Sequence, residues 1–123
     1  MANINVTMTV DTTALASGST PAQACILHDS NGDPDGSTNF VINANQGDTV
    51  TFSIAAKDGV TPVAYSAFRY EGGTDGVFDP LPSSANSWVG TAAGTTGESE
   101  NYYIDFVSNG NPYTLDPKIQ IDT

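Results

Sequence analysis

The chain has 123 residues, enough for one domain and long enough to bury a core without a disulfide or a metal. Fourteen acidic residues stand against three basic ones, Lys57, Arg69 and Lys118, for a net charge of -11. That balance excludes a phosphate-binding basic patch, so neither nucleic acid nor an anionic membrane surface is an expected partner.

The first residues, Met1-Ala2-Asn3-Ile4-Asn5-Val6, show no basic region followed by an apolar one, so no signal peptide is expected. A cytoplasmic location follows, or release by a route that needs no signal peptide. Ile4, Val6, Met8 and Val10 alternate with Asn5, Thr7 and Thr9, the period of a half-buried strand. Residues 13–17 fit one helical turn, stopped by Gly18 and Pro21. A second strand is expected over 22–28 and a third over 37–43, with a turn-rich loop over 29–36 between them. The single cysteine, Cys25, has no partner for an intramolecular bridge and lies in the apolar run Ala24-Cys25-Ile26-Leu27, as a buried inert thiol does.

Asn45-Gln46-Gly47-Asp48 reads as a turn before the clearest strand, in which Val50, Phe52 and Ile54 alternate with Thr49, Thr51 and Ser53. A one-residue slip there would bury the hydroxyl row, so the register is well specified. Further strands are expected over 63–70, briefly at Val77-Phe78, over 87–91, through Tyr102, Ile104 and Phe106, and over 113–122. Asp79-Pro80-Leu81-Pro82 stops one of them, because proline lacks a ladder donor. About eight short strands, twelve glycines and seven prolines predict an all-β chain: a single domain over 1–123, folded as an antiparallel two-sheet sandwich of jelly-roll or immunoglobulin-like type.

Catalytic motifs are sparse. There is one histidine, His28, followed by Asp29, and no G-x-S-x-G elbow, HExxH helix or phosphate loop occurs. A solvent-facing histidine at a strand end accounts for His28, and no enzyme activity is expected. The sharpest local feature is the acidic loop, which sets oxygen donors at Asp29, Asn31, Asp33 and Asp35. Carboxylates at alternate positions can wrap calcium, which takes six to eight oxygens. The loop is not an EF-hand, since Pro34 and Phe40 occupy the positions that need Gly and Glu. Two readings therefore stand: a calcium site or a polar turn. A second feature mixes rings with amides. Trp88 follows Asn86, and Tyr113 lies near the end of the chain. A flat ring beside amide and carboxylate groups suits a sugar, so Trp88, Asn86 and Tyr113 are candidate ligand-binding residues; the same rings also suit a sandwich core.

Three stretches resemble the PixA/AidA inclusion-body protein family of bacteria. They are Ile4–Thr12, Asn45–Val50, and the closing pair Tyr102–Phe106 with Tyr113–Ile121, of which the Asp116-Pro117-Lys118-Ile119 ending is the most specific. The resemblance implies an abundant bacterial protein, sometimes stored in intracellular inclusions and often controlled by population density, with no known catalysis and no functional residue to carry over. Taken together, residues and resemblance lead to the expectation of a non-enzymatic, homo-oligomeric protein that binds a ligand, a glycan first. The alternatives are a calcium-dependent lectin and a structural assembly protein.

Overall fold

The computed structural model describes residues 2–122. Nine strands are found: β1 (Asn3–Val10), β2 (Cys25–Asp29), β3 (Val41–Ala44), β4 (Thr49–Ala56), β5 (Val63–Gly73), β6 (Val89–Thr91), β7 (Ser99–Ser108), β8 (Asn111–Leu115) and β9 (Lys118–Ile121). Two helical turns, α1 (Thr12–Ala16) and α2 (Pro21–Ala24), link β1 to β2. Among the described residues no helix is long and apolar enough to cross a membrane.

Strict alternation builds the sandwich. In β1, Ile4, Val6, Met8 and Val10 are buried while Asn3, Asn5, Thr7 and Thr9 are exposed. Their buried row joins one core cluster with that of β7, where Tyr102, Ile104 and Phe106 are fully buried. The four-stranded sheet runs β2-β1-β4-β6; the five-stranded sheet runs β3-β9-β7-β5, with β8 also pairing β7. The strands with the clearest alternation, β1, β4 and β7, therefore lie inside their sheets rather than at the edges.

The all-β sandwich expected from the sequence is present, but its sheets are mixed. β1 pairs β4 in parallel over eight register positions, from Asn3↔Thr49 to Val10↔Ala56, and β3 pairs β9 in parallel. Alternation fixes which side chains face inward but carries no information on the direction of the neighbouring strand. β1 and β4 present matching apolar rows and meet only after the chain has visited the second sheet through β3. Asp116-Pro117 divides the closing segment into β8 and β9, while Val77-Phe78, expected as a brief strand, makes only an isolated bridge from Phe78 to Ala92. The second strand starts later than expected: Pro21 occupies the first turn of α2, and Thr20 and Gln23 close a capping box there.

The core is one cluster with a ring-rich centre. Phe52 lies 4.7 Å from Phe68 and 6.2 Å from each of Tyr65, Phe78 and Tyr102, measured between ring centroids. Burial pushes the Cys25 thiol up to about 12, as expected of an inert structural cysteine. At the entry to β4, buried Asp48 accepts the Ala2 and Asn45 amides at 2.8 and 2.9 Å and so fixes where β1 and β4 begin.

Candidate functional site

The acidic loop begins where β2 ends. Asp29 points inward, 2% exposed, and its Oδ1 accepts the amides of Asn31 and Asp33, both at 3.1 Å. Its Oδ2 is buried with no hydrogen-bond partner among the described residues. Burial, reinforced by the neighbouring Asp33 carboxylate, pushes the Asp29 carboxyl up to about 6. Asp33 accepts from Asn43 Nδ2 at 2.8 Å, from the Asn43 amide at 3.2 Å and from Asn31 Nδ2 at 3.2 Å. Burial opposes its ionisation, but the neighbouring Asp29 carboxyl and these bonds outweigh burial and hold Asp33 below the usual carboxylate range. Asn31 Nδ2 also donates to the Asn43 carbonyl at 2.6 Å. The loop thus ties the edge strand of one sheet to the edge strand β3 of the other.

Of the four candidate calcium ligands, Asp29, Asn31 and Asp33 come together, while Asp35 does not join them. Asp35 Oδ1 pairs with His28 Nδ1 at 2.7 Å, and both side chains are well exposed. That bond raises the His28 pKa. No group of three or more His, Cys, Asp or Glu side chains among the described residues is arranged to hold a metal. The oxygens of Asp33 and Oδ1 of Asp29 already face N–H donors, which a cation would have to displace.

Trp88, Asn86 and Tyr113 are dispersed. The Trp88 ring packs on Tyr65 and Phe68 at 5.6 and 5.9 Å and closes the core beside β6. Asn86 is spent on its own turn: Oδ1 accepts the Ser83 and Val89 amides and Nδ2 donates to the Leu81 carbonyl. Tyr113 belongs to the other sheet, stacked on Phe106 at 5.6 Å. No ring contact or hydrogen bond among the described residues joins Tyr113 to the other two.

Sequence reading missed a surface. The four strands of the four-stranded sheet carry a single acidic residue, Asp29, and it faces inward. Their outer face is made of Asn3, Asn5, Thr7 and Thr9 on β1, Thr49, Thr51, Ser53 and Ala55 on β4, Val89 and Thr91 on β6, and Ile26 and His28 on β2, with the Asp35 carboxylate bonded to His28 at the β2 edge. Hydroxyl and amide groups are cross-linked there: Thr7 and Ser53 share a bond of 3.2 Å, and Thr49 and Thr51 both donate to Asn3 Oδ1. Ile26 stands 55% exposed on the edge strand. The polar rows were visible in the sequence; that β1 and β4 lie side by side, merging them into one face, was not. The five-stranded sheet differs. Arg69 forks onto Asp105 at 2.6 and 2.8 Å and lies 4.6 Å over the Tyr103 ring, so charge sits on that outer face.

The sequence profile of the family DUF8788, described as a domain of unknown function, matches residues 2–114. No curated protein matches the chain. In fold the chain is similar to the inclusion body protein (PixA) of Burkholderia cenocepacia J2315. The TM-score is 0.73 at 14% identity, over 98% of this chain and 94% of that one. The resemblance seen in the sequence is thus met as a relation of fold to a PixA protein, while the matching family profile is that of DUF8788.

Proposed function

We propose a function for a chain that belongs to the DUF8788 family: it is a non-catalytic β-sandwich that associates with copies of itself and binds a hydroxyl-rich ligand, a glycan first. The observation that carries the self-association is the uncharged outer face of the four-stranded sheet in a chain of net charge -11. Two such chains repel wherever their acids come within a Debye length, ~8–10 Å at physiological salt. They approach most easily where the facing strands carry no acid, and the β1 and β4 rows carry none; at the β2 edge of this face the Asp35 carboxylate is paired with His28. Strand geometry gives it at most ~26 Å by ~19 Å, roughly 500 Å². That is below the ~800 Å² per partner of a standard interface. Association through it is therefore weak and driven by high local concentration, which suits an abundant, densely packed protein; the structural neighbour's description as an inclusion body protein is in keeping. Light scattering over a concentration series tests the reading: the mean mass should climb with concentration, and the mass of one chain at every concentration would contradict it.

Calcium-dependent binding is the second reading, favoured by the buried, unpartnered Oδ2 of Asp29 beside the Asp33 carboxylate. An ion bound only by the folded chain would stabilise it by roughly 2.7 kcal/mol at a hundredfold excess over Kd. Melting temperature compared in millimolar calcium, magnesium and chelator decides: a rise specific to calcium supports this reading, and indifference removes it.

A further inference from the structure

A cleft of about 350 Å³ lies where the acidic loop meets the outer edge of the five-stranded sheet, lined by Pro34, Asp35, Asn39, Val41, Asn43 and Gln120. We propose that it binds a neutral, hydroxyl-rich ligand of the saccharide class, an inference that rests on the glycan half of the function above and gives it a place. The volume falls at the lower end of the ~300–1,000 Å³ typical of small-molecule sites.

The lining is chemically narrow. Four polar side chains meet there, three of them amides, and none is cationic. Asn43 and Gln120 stand side by side in register on β3 and β9. Each amide offers an acceptor and two donors, and each sugar hydroxyl offers one donor and two acceptor lone pairs, so the two groups match without charge. Val41 and Pro34 supply apolar surface for ring C–H groups.

Three of the four polar groups are held in place by one atom while another is left unused among the described residues. Asn39 Oδ1 accepts the Ser37 amide at 3.0 Å, leaving Nδ2 as a donor. Asn43 Nδ2 donates to Asp33, leaving Oδ1 as an acceptor. Asp35 Oδ1 is bound to His28, leaving Oδ2 as an acceptor. Gln120 makes no side-chain hydrogen bond among the described residues and can serve as either. Side chains fixed before binding spare the ligand their ordering cost of ~0.5–1.5 kcal/mol each. Glycine is needed at position 36 for this arrangement, because a Cβ there would stand 2.5 Å from Asn39 Oδ1. Neutral ligands are selected because Asp35 forms part of the wall and the chain as a whole is strongly acidic, which repels uronic and sialic acids.

The test is an array of neutral oligosaccharides with terminal hexoses and N-acetylhexosamines, probed with the wild-type chain and with Gln120→Ala and Asp35→Asn, in chelator. The strongest-bound saccharide is then titrated by calorimetry. Both substituted side chains are on the surface and neither helps latch Asp33, so melting temperatures should match wild type, and each variant should weaken binding at least tenfold. Wild-type-like binding by both variants would overturn this site while leaving glycan binding itself standing. Failure of the wild-type chain to bind any neutral saccharide would overturn both.

Discussion

Replacing Phe52 by alanine should cost about 3–5 kcal/mol, the range for a large aromatic removed from a core that collapses only in part. The structure argues for the upper half of that range. Phe52 is 3% exposed and touches four other rings, with Phe68 nearest at 4.7 Å. Aromatic pairs are worth about 0.5–1.5 kcal/mol beyond the area they bury, and all four are lost together. Phe52 also lies in β4, bonded to both β1 and β6, so neighbouring backbone cannot close the void cheaply. Urea denaturation followed by tryptophan fluorescence is a suitable assay, since Trp88 packs on Tyr65 and Phe68 next to the site. With a slope of ~2 kcal/mol per molar urea, a loss of ~4 kcal/mol lowers the midpoint by about 2 M. A midpoint shift worth less than about 1 kcal/mol would refute the placing of Phe52 at the centre of the core.

Gly90→Ala should destabilise by ~1–3 kcal/mol, the usual cost of overpacking: a Cβ there would collide with the Phe78 ring and lie 2.8 Å from Pro82 Cδ, and an unchanged melting temperature would count against that packing. Stability should fall as pH rises from 5 to 7. The folded Asp29 carboxyl titrates near 6 against ~3.9 in an unfolded chain, so between those values the folded state holds a proton that the unfolded state has released. Asp29→Asn should flatten that slope, and a wild-type melting temperature that climbs from pH 5 to 7 would contradict the assignment. Toward pH 2 the sign reverses: Asp58, held down to about 2 chiefly by its bonds from Thr61, stabilises only while ionised, and Asp58→Ala should remove part of the acid-induced loss.

Fold class was legible because alternation is a local property. The buried rows of β1, β4 and β7 can be read directly from the order of residues. Partnering is not local, and so the parallel β1–β4 and β3–β9 pairs could not be read. The Thr and Asn rows of β1 and β4 looked like two ordinary solvent faces; side by side they become one uncharged surface. Asp29 was legible as a candidate, but its inward direction and its bonds to the following amides depend on where β2 stops. Trp88 satisfied both readings available to a large ring; it is partly buried and packs on Tyr65 and Phe68 at the margin of the core. Asn39, Asn43 and Gln120 gave no signal because they come from segments that meet only when β3 pairs β9.

The measurement closest to the central claim places charge on the uncharged face. Thr7→Glu with Ala55→Glu adds two exposed acids to the outer rows of β1 and β4, and Ala64→Glu with Asn111→Glu adds two exposed acids elsewhere as a control. Sedimentation velocity over a range of concentrations should show concentration-dependent association for the wild-type and control chains and a monomer for the first variant, with all three melting alike. Equal association of both variants, or a monomeric wild-type chain throughout, would contradict self-assembly through the four-stranded sheet.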